Sequence, residues 1–356
     1  MIPTIIKQNV DAIISNELET LKRFDNKTVL VTGSTGMIGS FLVYVLAEYA
    51  KQKNSATKII ANARSKAKAE AMFAQYMNDE SFELLICDLD QINTEKDIDY
   101  IIHAASPTQP KDFLNKPVDI IDANTFITKK LLGFCKDKQA VFCLLSTLEI
   151  YGEIKAESYP VVVNEDDFGA LDSTDLRSTY PESKRLAESM CVAYSSQFNV
   201  ASTIVRLGPV VSPVIDEHDE RVYAQFVKRV FDNEDITLFS DAADKKRSYT
   251  YVCDAVSGIL IALGQQQPER CSIYNLANNE NIISIQEMAE KIIAQNPSAS
   301  KLKIVQREDS SNTSSSTGKI VLGSEKLINL GWKPNYSFDD CVLNTFQYLR
   351  QAKNVR

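Results

Sequence analysis

A short apolar run, Thr28-Val-Leu-Val-Thr32, passes without a break into Gly33-Ser-Thr-Gly36-Met-Ile-Gly39 and then into a stretch with apolar residues at Phe41, Leu42, Val45, Leu46 and Tyr49. The pattern predicts a strand, a tight turn and a helix. Gly33 permits the turn, Gly36 lets backbone N–H groups approach a pyrophosphate at the helix N-terminus, and Gly39 lets helix and strand pack closely. A glycine triplet alone can be only a loop. Its position at the head of a strand-and-helix series favours dinucleotide binding.

That series continues with apolar runs at Lys58 to Asn62, Phe82 to Ile86, Tyr100 to Ala104, Val141 to Ser146 and Ser202 to Arg206, each separated by a helix-length segment. Strands alternating with helices imply βαβ units and an α/β fold with a doubly wound parallel sheet. Ahead of it, Ile2, Ile5, Ile6, Val10, Ile13, Ile14, Leu18 and Leu21 recur at three- and four-residue spacing, so residues 1–26 are expected to form an amphipathic helical extension. Residues 27–207 form the expected dinucleotide-binding domain. Residues 208–356 are more irregular and polar; they are expected to form mainly a smaller substrate-binding lobe, with some segments returning to the sheet.

At 356 residues the chain is long enough for such a fold, and its net charge of −8 disfavours wholesale binding to nucleic acid or an anionic membrane. The longest apolar runs fall far short of the roughly 20 residues that span a bilayer. No signal-peptide pattern opens the chain, so a cytoplasmic protein is expected. Seven scattered Cys without a C-x-x-C pattern suggest buried free thiols, and with only two His no metal centre is expected.

The second strand leads into Asn62-Ala-Arg64-Ser65-Lys66 and offers no acidic residue for a ribose 2′-hydroxyl. Arg64, Ser65 and Lys66 could accommodate a 2′-phosphate, which favours NADP; a solvated basic turn with NAD held through Asn62 is the alternative. Asp88 is placed to meet an adenine edge or to cap a helix.

Tyr180 and Lys184 lie four residues apart at the start of a helix and share a face. An ammonium beside a phenol favours the phenolate, which would make Tyr180 an acid/base for a substrate hydroxyl. A core tyrosine and a surface lysine give the same spacing. Another strand ends in Ser146-Thr147-Leu148-Glu149-Ile150-Tyr151-Gly152, where active sites of such sheets lie. Thr147 could hydrogen-bond a reacting oxygen and Glu149 could exchange a proton with a neighbouring carbon, or the two are a strand-end cap and a solvated carboxylate.

Thr-Gly-x-x-Gly-x-x-Gly, Ser-Thr-x-Glu-x-Tyr-Gly and Tyr-x-x-x-Lys, in this order, resemble the extended short-chain dehydrogenase/reductase superfamily of NAD(P)-dependent nucleotide-sugar epimerases and dehydratases. The resemblance runs from about Lys27 to about Arg350 and implies a Rossmann-type fold. Within the superfamily, UDP-glucuronate decarboxylases look most similar, through His103-Ala-Ala-Ser-Pro107, Asn115-Lys-Pro117, Asn124-Thr125, Arg177 to Glu188 and Arg247 to Asp254. The resemblance implies that Tyr180 is the acid/base, Lys184 its partner and a ribose ligand, Thr147 the hydroxyl that orients the sugar, and Glu149 the carboxylate for chemistry at C5. It further implies cofactor contacts at Gly33, Thr35, Gly36, Met37, Ile38, Gly39, Asn62, Arg64, Ser65, Asp88, Leu89, Ala104, Ala105, Ser106 and Asn124. Substrate contacts are implied at Pro107, Arg221 and Arg247, and a homodimer is implied through the helices near Val118 and after Tyr180.

Three departures stand out. Leu148 replaces the Ser of decarboxylases and the Asp of 4,6-dehydratases. Pro209 stands where an Asn usually meets the nucleotide sugar. Lys319 and Leu322 fall near a usual Arg and Asp. The expected function is oxidation of C4 of a nucleotide-linked sugar to a transient 4-ketone, followed by decarboxylation; 4,6-dehydration and 4-epimerisation are alternatives. A non-catalytic dinucleotide sensor is the alternative of a different class, disfavoured because a sensor has no need of Tyr180, Lys184 and Thr147.

Overall fold

The computed structural model describes residues 2–92, 96–106, 110–156, 158–216, 219–265, 271–296, 300–305 and 320–355. Seven strands form one parallel sheet: β1 (Thr28–Thr32), β2 (Lys58–Ala63), β3 (Phe82–Ile86), β4 (Tyr100–His103), β5 (Val141–Thr147), β6 (Ser202–Leu207) and β7 (Cys271–Leu276). Their spatial order is β7-β6-β5-β4-β1-β2-β3. The order reverses between β1 and β4, and a crevice opens there beyond the strands' carboxyl ends. The doubly wound sheet expected from the alternating pattern is therefore present. β7 is an addition to it: Cys-Ser-Ile-Tyr-Asn-Leu alternates weakly, and its place is fixed by pairing with β6 from Cys271↔Ser202 to Leu276↔Leu207.

The strands are apolar on both faces because both faces are covered. Leu30, Ile60, Ile101, Phe142, Leu144 and Ile204 belong to one core, shared with Ile127, Leu131, Ala187 and Cys191. Their neighbours Val29, Val31, Ile59, Ala61, Ile102, Cys143, Leu145 and Val205 point into the opposite core, as a two-residue side-chain period requires.

Helices α1 (Thr4–Asn16) and α2 (Met37–Lys53) lie on the second face, and the short α3 (Lys66–Phe73) follows β2. Helices α4 (Pro117–Asn124), α5 (Phe126–Lys138) and α6 (Thr179–Phe198) pack together on the first face. The N-terminal periodicity does yield a helix, and α1 buries Ile5, Ile6, Val10, Ile13 and Ile14. Asn9 of α1 donates to the Tyr251 hydroxyl at 2.7 Å.

The longer helices that follow are α7 (Val222–Phe231), α8 (Val252–Gly264), α9 (Ile285–Gln295) and α10 (Phe338–Val355). Ser284 and Glu287 close a capping box at the start of α9. The chain leaves and re-enters the region of α7 through two short parallel strands, Val210–Val211 and Thr250–Tyr251. Strand Ile236–Phe239 between them pairs with Leu302–Val305, and Ile320–Leu322 pairs with Val161–Val163. Among the described residues, no helix is long and apolar enough to cross a membrane.

Candidate active site

The first turn is built as a phosphate cradle. Gly33 has φ +65°, and a Cβ there would lie 2.7 Å from Ala105 Cα; a Cβ on Gly39 would lie 2.3 Å from the Gly33 carbonyl oxygen. Only glycine lets the chain bend and close up at these two points. Gly36 begins α2 with no side-chain cap, so the helix presents its N–H groups at the crevice, beside Met37 and Ile38. These features fit a dinucleotide pyrophosphate. Thr35 lies within the same turn.

Around the second strand, the structure separates the candidates. Asn62 is buried, and its amide donates to the carbonyls of Leu85 and Cys87 at 3.2 and 3.1 Å, tying β2 to β3. Arg64 is exposed, and the Ser65 hydroxyl caps α3 by accepting from Lys68 N–H. Asp88 is exposed at the end of β3, just before Leu89, and makes no side-chain cap bond.

Two adjoining hollows share the walls Thr147, Tyr180, Leu207, Gly208, Pro209, Arg221 and Arg247, and so form one cleft. The larger, about 690 Å³, runs from Met37, Ile38, Ala104 and Ser106 past Lys184 to Thr237, Phe239 and Tyr249. The smaller, about 230 Å³, adds Phe113, Leu148, Glu149, Ala277, Ile320, Val321 and Leu322. Thr147, Glu149, Tyr180, Lys184, Arg221 and Arg247, distant in sequence, thus meet at one place. Ala105 lies behind the cleft against Gly33. Pro107 and Lys319 lie outside the described residues.

Tyr180 and Lys184 are both buried, with 7% and 2% of their surfaces exposed. The expected drop in the Tyr180 pKa is not what the structure gives. Burial pushes the phenol well above its ordinary value, the nearby Glu149 adds to this, and the Thr147 hydroxyl works in the opposite direction. Lys184 feels the same desolvation: it is pulled down to about 8, while Glu188 and then Cys191 act to raise it. Its Nζ donates to the Leu145 carbonyl at 3.0 Å. Spacing revealed that the two groups are neighbours, but it could not reveal how dry their surroundings are.

Glu149 is likewise raised by burial, against the pull of Arg247 and then Arg177. A carboxyl held partly toward its neutral form is a competent proton-exchanging group. Asn124 links the cofactor side to the catalytic helix: its Oδ1 accepts from Ser106 Oγ at 2.9 Å, and its Nδ2 donates to Ser183 Oγ at 3.0 Å. Arg221 forms an ion pair with Asp219 and reaches the Met37 sulfur at 3.1 Å, spanning the cleft. Among the departures, Leu148, Pro209 and Leu322 all face the cleft and make this part of its wall apolar.

Two residues near the chemistry were given no role by the sequence reading. Phe113 stacks on the Tyr180 ring, with centroids 4.6 Å apart and planes 15° from parallel. Arg177 sits where its charge reaches Glu149. No local pattern marks Phe113; Arg177 lies only three residues before Tyr180.

Comparison with known proteins agrees with this geometry. Residues 29–277 match the NAD dependent epimerase/dehydratase family. A UDP-glucuronic acid decarboxylase 1 from Xenopus tropicalis is 25% identical over 332 residues, covering 93% of this chain and 74% of the relative. UDP-glucuronic acid decarboxylase 4 from Arabidopsis thaliana is 31% identical over 251 residues, covering 70% of this chain and 53% of the relative. In fold, the chain resembles the UDP-glucuronic acid 4-epimerase of Bacillus cereus, solved with UDP-glucuronic acid and NAD (TM-score 0.74, 21% identity, 91% of this chain and 99% of the other). It similarly resembles the dTDP-glucose 4,6-dehydratase of Bacillus anthracis, solved with NAD (TM-score 0.72, 20% identity, 92% and 98%). With the glycine cradle, the doubly wound sheet and the matched span in agreement, this chain belongs to the NAD dependent epimerase/dehydratase family, within the extended short-chain dehydrogenase/reductase superfamily of nucleotide-sugar enzymes.

Proposed function

We propose that this protein oxidises C4 of a nucleotide-linked sugar to a transient ketone, and that its overall reaction is decarboxylation of a nucleotide-linked uronic acid. The observation that carries the reading is the meeting of Thr147, Tyr180 and Glu149 in a cleft continuous with the cofactor cradle. A bound nicotinamide would supply the two-electron acceptor at C4 and would return the pair to the C4 ketone after CO₂ has left. Thr147 orients the C4 hydroxyl, and Tyr180 accepts its proton as the phenolate, a form that the positive ring of a bound oxidised nicotinamide would favour against burial. Lys184 holds the cofactor ribose and offsets negative charge on the phenol. A ketone at C4 acidifies C5 and stabilises the carbanion left when a C5 carboxylate departs as CO₂. Glu149 then manages the proton at C5, and Arg247 and Arg221 serve the nucleotide sugar's negative charge. The similarity to decarboxylases supports this choice.

Incubation with nucleotide-linked uronic acids in D₂O, read by product mass and NMR, tests it. The expected product has lost CO₂ and carries solvent deuterium at C5. Loss of water would replace the reading with dehydration; unchanged mass with inverted C4 would replace it with epimerisation.

We further propose a preference for NADP over NAD, because β2 ends without an acid and Arg64 is exposed beside it. A charge-assisted contact to a 2′-phosphate contributes about 1.5 to 3 kcal/mol. Arg64→Ala should therefore weaken NADP by tenfold or more and leave NAD nearly unchanged, as read by calorimetric titration. Equal losses for both would remove the assignment.

A homodimer is part of the same proposal. Val118 and Ile121 on α4, and Leu186 on α6, are exposed on helices that pack side by side, and Val118 is 65% accessible. Light scattering at micromolar concentration should give twice the chain mass.

A further inference from the structure

Beneath the catalytic residues lies a buried polar chain. Ser146, the residue before Thr147, donates its hydroxyl to Glu188. Arg206 grips the same carboxylate, with Nη2 at 2.8 Å from Oε2 and Nε at 3.2 Å from both oxygens. The guanidinium also donates to the Tyr151 hydroxyl and to the Glu165 carbonyl, each at 2.8 Å. Tyr151 in turn donates to Asn275 Oδ1 at 2.7 Å. Ser146, Glu188, Arg206, Tyr151 and Asn275 are all buried. The chain therefore ties together β5, the turn that carries Glu149, α6, β6 and β7.

A buried ion pair of this kind is a weak source of stability, because desolvation of both charges consumes most of the attraction. Its position suggests another role. Glu188 follows Lys184 by four residues and so lies on the same helix face, one turn below. We propose that Glu188, held by Arg206, is a positioning residue for catalysis: it anchors the end of β5 through Ser146 and keeps Lys184 in its ammonium form. The inference rests on the reading of Lys184 as the group that holds the cofactor ribose.

The groups facing Lys184 make the need plain. His103 on β4 is buried and held neutral, lowered to about 3 by desolvation and then by Lys184 itself. Its Nδ1 is shared with Thr32 Oγ1 at 2.8 Å. Cys191 is a buried thiol, and Tyr180 is a neutral phenol at neutral pH. Burial holds Lys184 down at about 8 even with the Glu188 charge acting to raise it, so removal of that charge lowers it further.

The test measures affinity for NADP and for NAD against pH by calorimetry, which needs no sugar substrate. In the unaltered protein, affinity should fall as pH rises past about 8, where Lys184 loses its proton. Glu188→Gln should move that fall to lower pH, read as a loss of affinity near pH 8, and Glu188→Asp should restore it in part. Glu188→Gln leaves Arg206 buried without its partner and can unfold the protein, so the double variant Glu188→Gln with Arg206→Met is made alongside. The double variant should regain thermal stability and still show the shifted limb. Folded variants that keep the original pH profile would overturn the proposal and leave the pair a purely structural one. Failure of the unaltered protein to bind either NAD or NADP would instead remove the cofactor-site reading itself, before any variant is compared.

Discussion

Tyr180→Phe should reduce turnover about 10²- to 10⁴-fold while cofactor affinity stays within a few-fold, because a positioned acid/base contributes about that much and the ring itself is retained. The ring is packed: it stacks on Phe113 and shares a small apolar cluster with Ile120. Phe keeps those contacts, so thermal unfolding should shift little. Only the oxygen proposed to meet the C4 hydroxyl is lost. Pre-steady-state absorbance of the reduced nicotinamide would separate the outcomes. A normal rate of reduction in the variant would show that another group takes the C4 proton.

The second large effect is expected at Glu149. Glu149→Gln should leave oxidation at C4 in place and remove proton exchange at C5, so deuterium incorporation in D₂O should fall by at least about 10²-fold and the 4-keto sugar should accumulate. A pH signature accompanies it. Burial raises the Glu149 carboxyl, against Arg247 and Arg177, so it keeps its proton to a higher pH than an exposed glutamate. A step that uses the protonated carboxyl as acid, as delivery of a proton to C5 after CO₂ leaves requires, must therefore weaken as pH rises, and does so only above the ordinary carboxylate range. The Gln variant should lack this alkaline limb. Unchanged deuterium incorporation in the variant would assign C5 chemistry elsewhere, with Arg177 and Arg247 the nearest charged groups.

The sequence made the frame legible wherever the signal was local. β1 announced itself through an unbroken apolar run into Gly33, and the phosphate cradle followed from glycines set between that strand and a helix. β7 did not, because its burial depends on β6, some 70 residues earlier, and buried Ser272 and Asn275 blur its alternation. The same division runs through the active site. Thr147, Glu149, Tyr180 and Lys184 were readable as short motifs. The stack of Phe113 on Tyr180, and the pairing of Glu188 with Arg206, join residues that only the folded chain brings together. The direction of the Tyr180 pKa was misjudged for a related reason: a four-residue spacing gives proximity to Lys184, whereas dehydration is a property of the whole surroundings.

The paired strands Val210–Val211 and Thr250–Tyr251 place the exit and the return of the intervening segment side by side. That segment carries Arg221, Tyr223, Thr237, Phe239 and Arg247, which line the cleft, whereas Thr147, Tyr180 and Lys184 stand on the sheet side of the neck. A loop with adjacent ends can be exchanged without rethreading the sheet beneath it. On the proposed roles, recognition and chemistry are therefore separately replaceable parts here. Grafting residues 212–249 from a relative, together with the partner strand Leu302–Val305, offers a route to new substrates on an unchanged catalytic base.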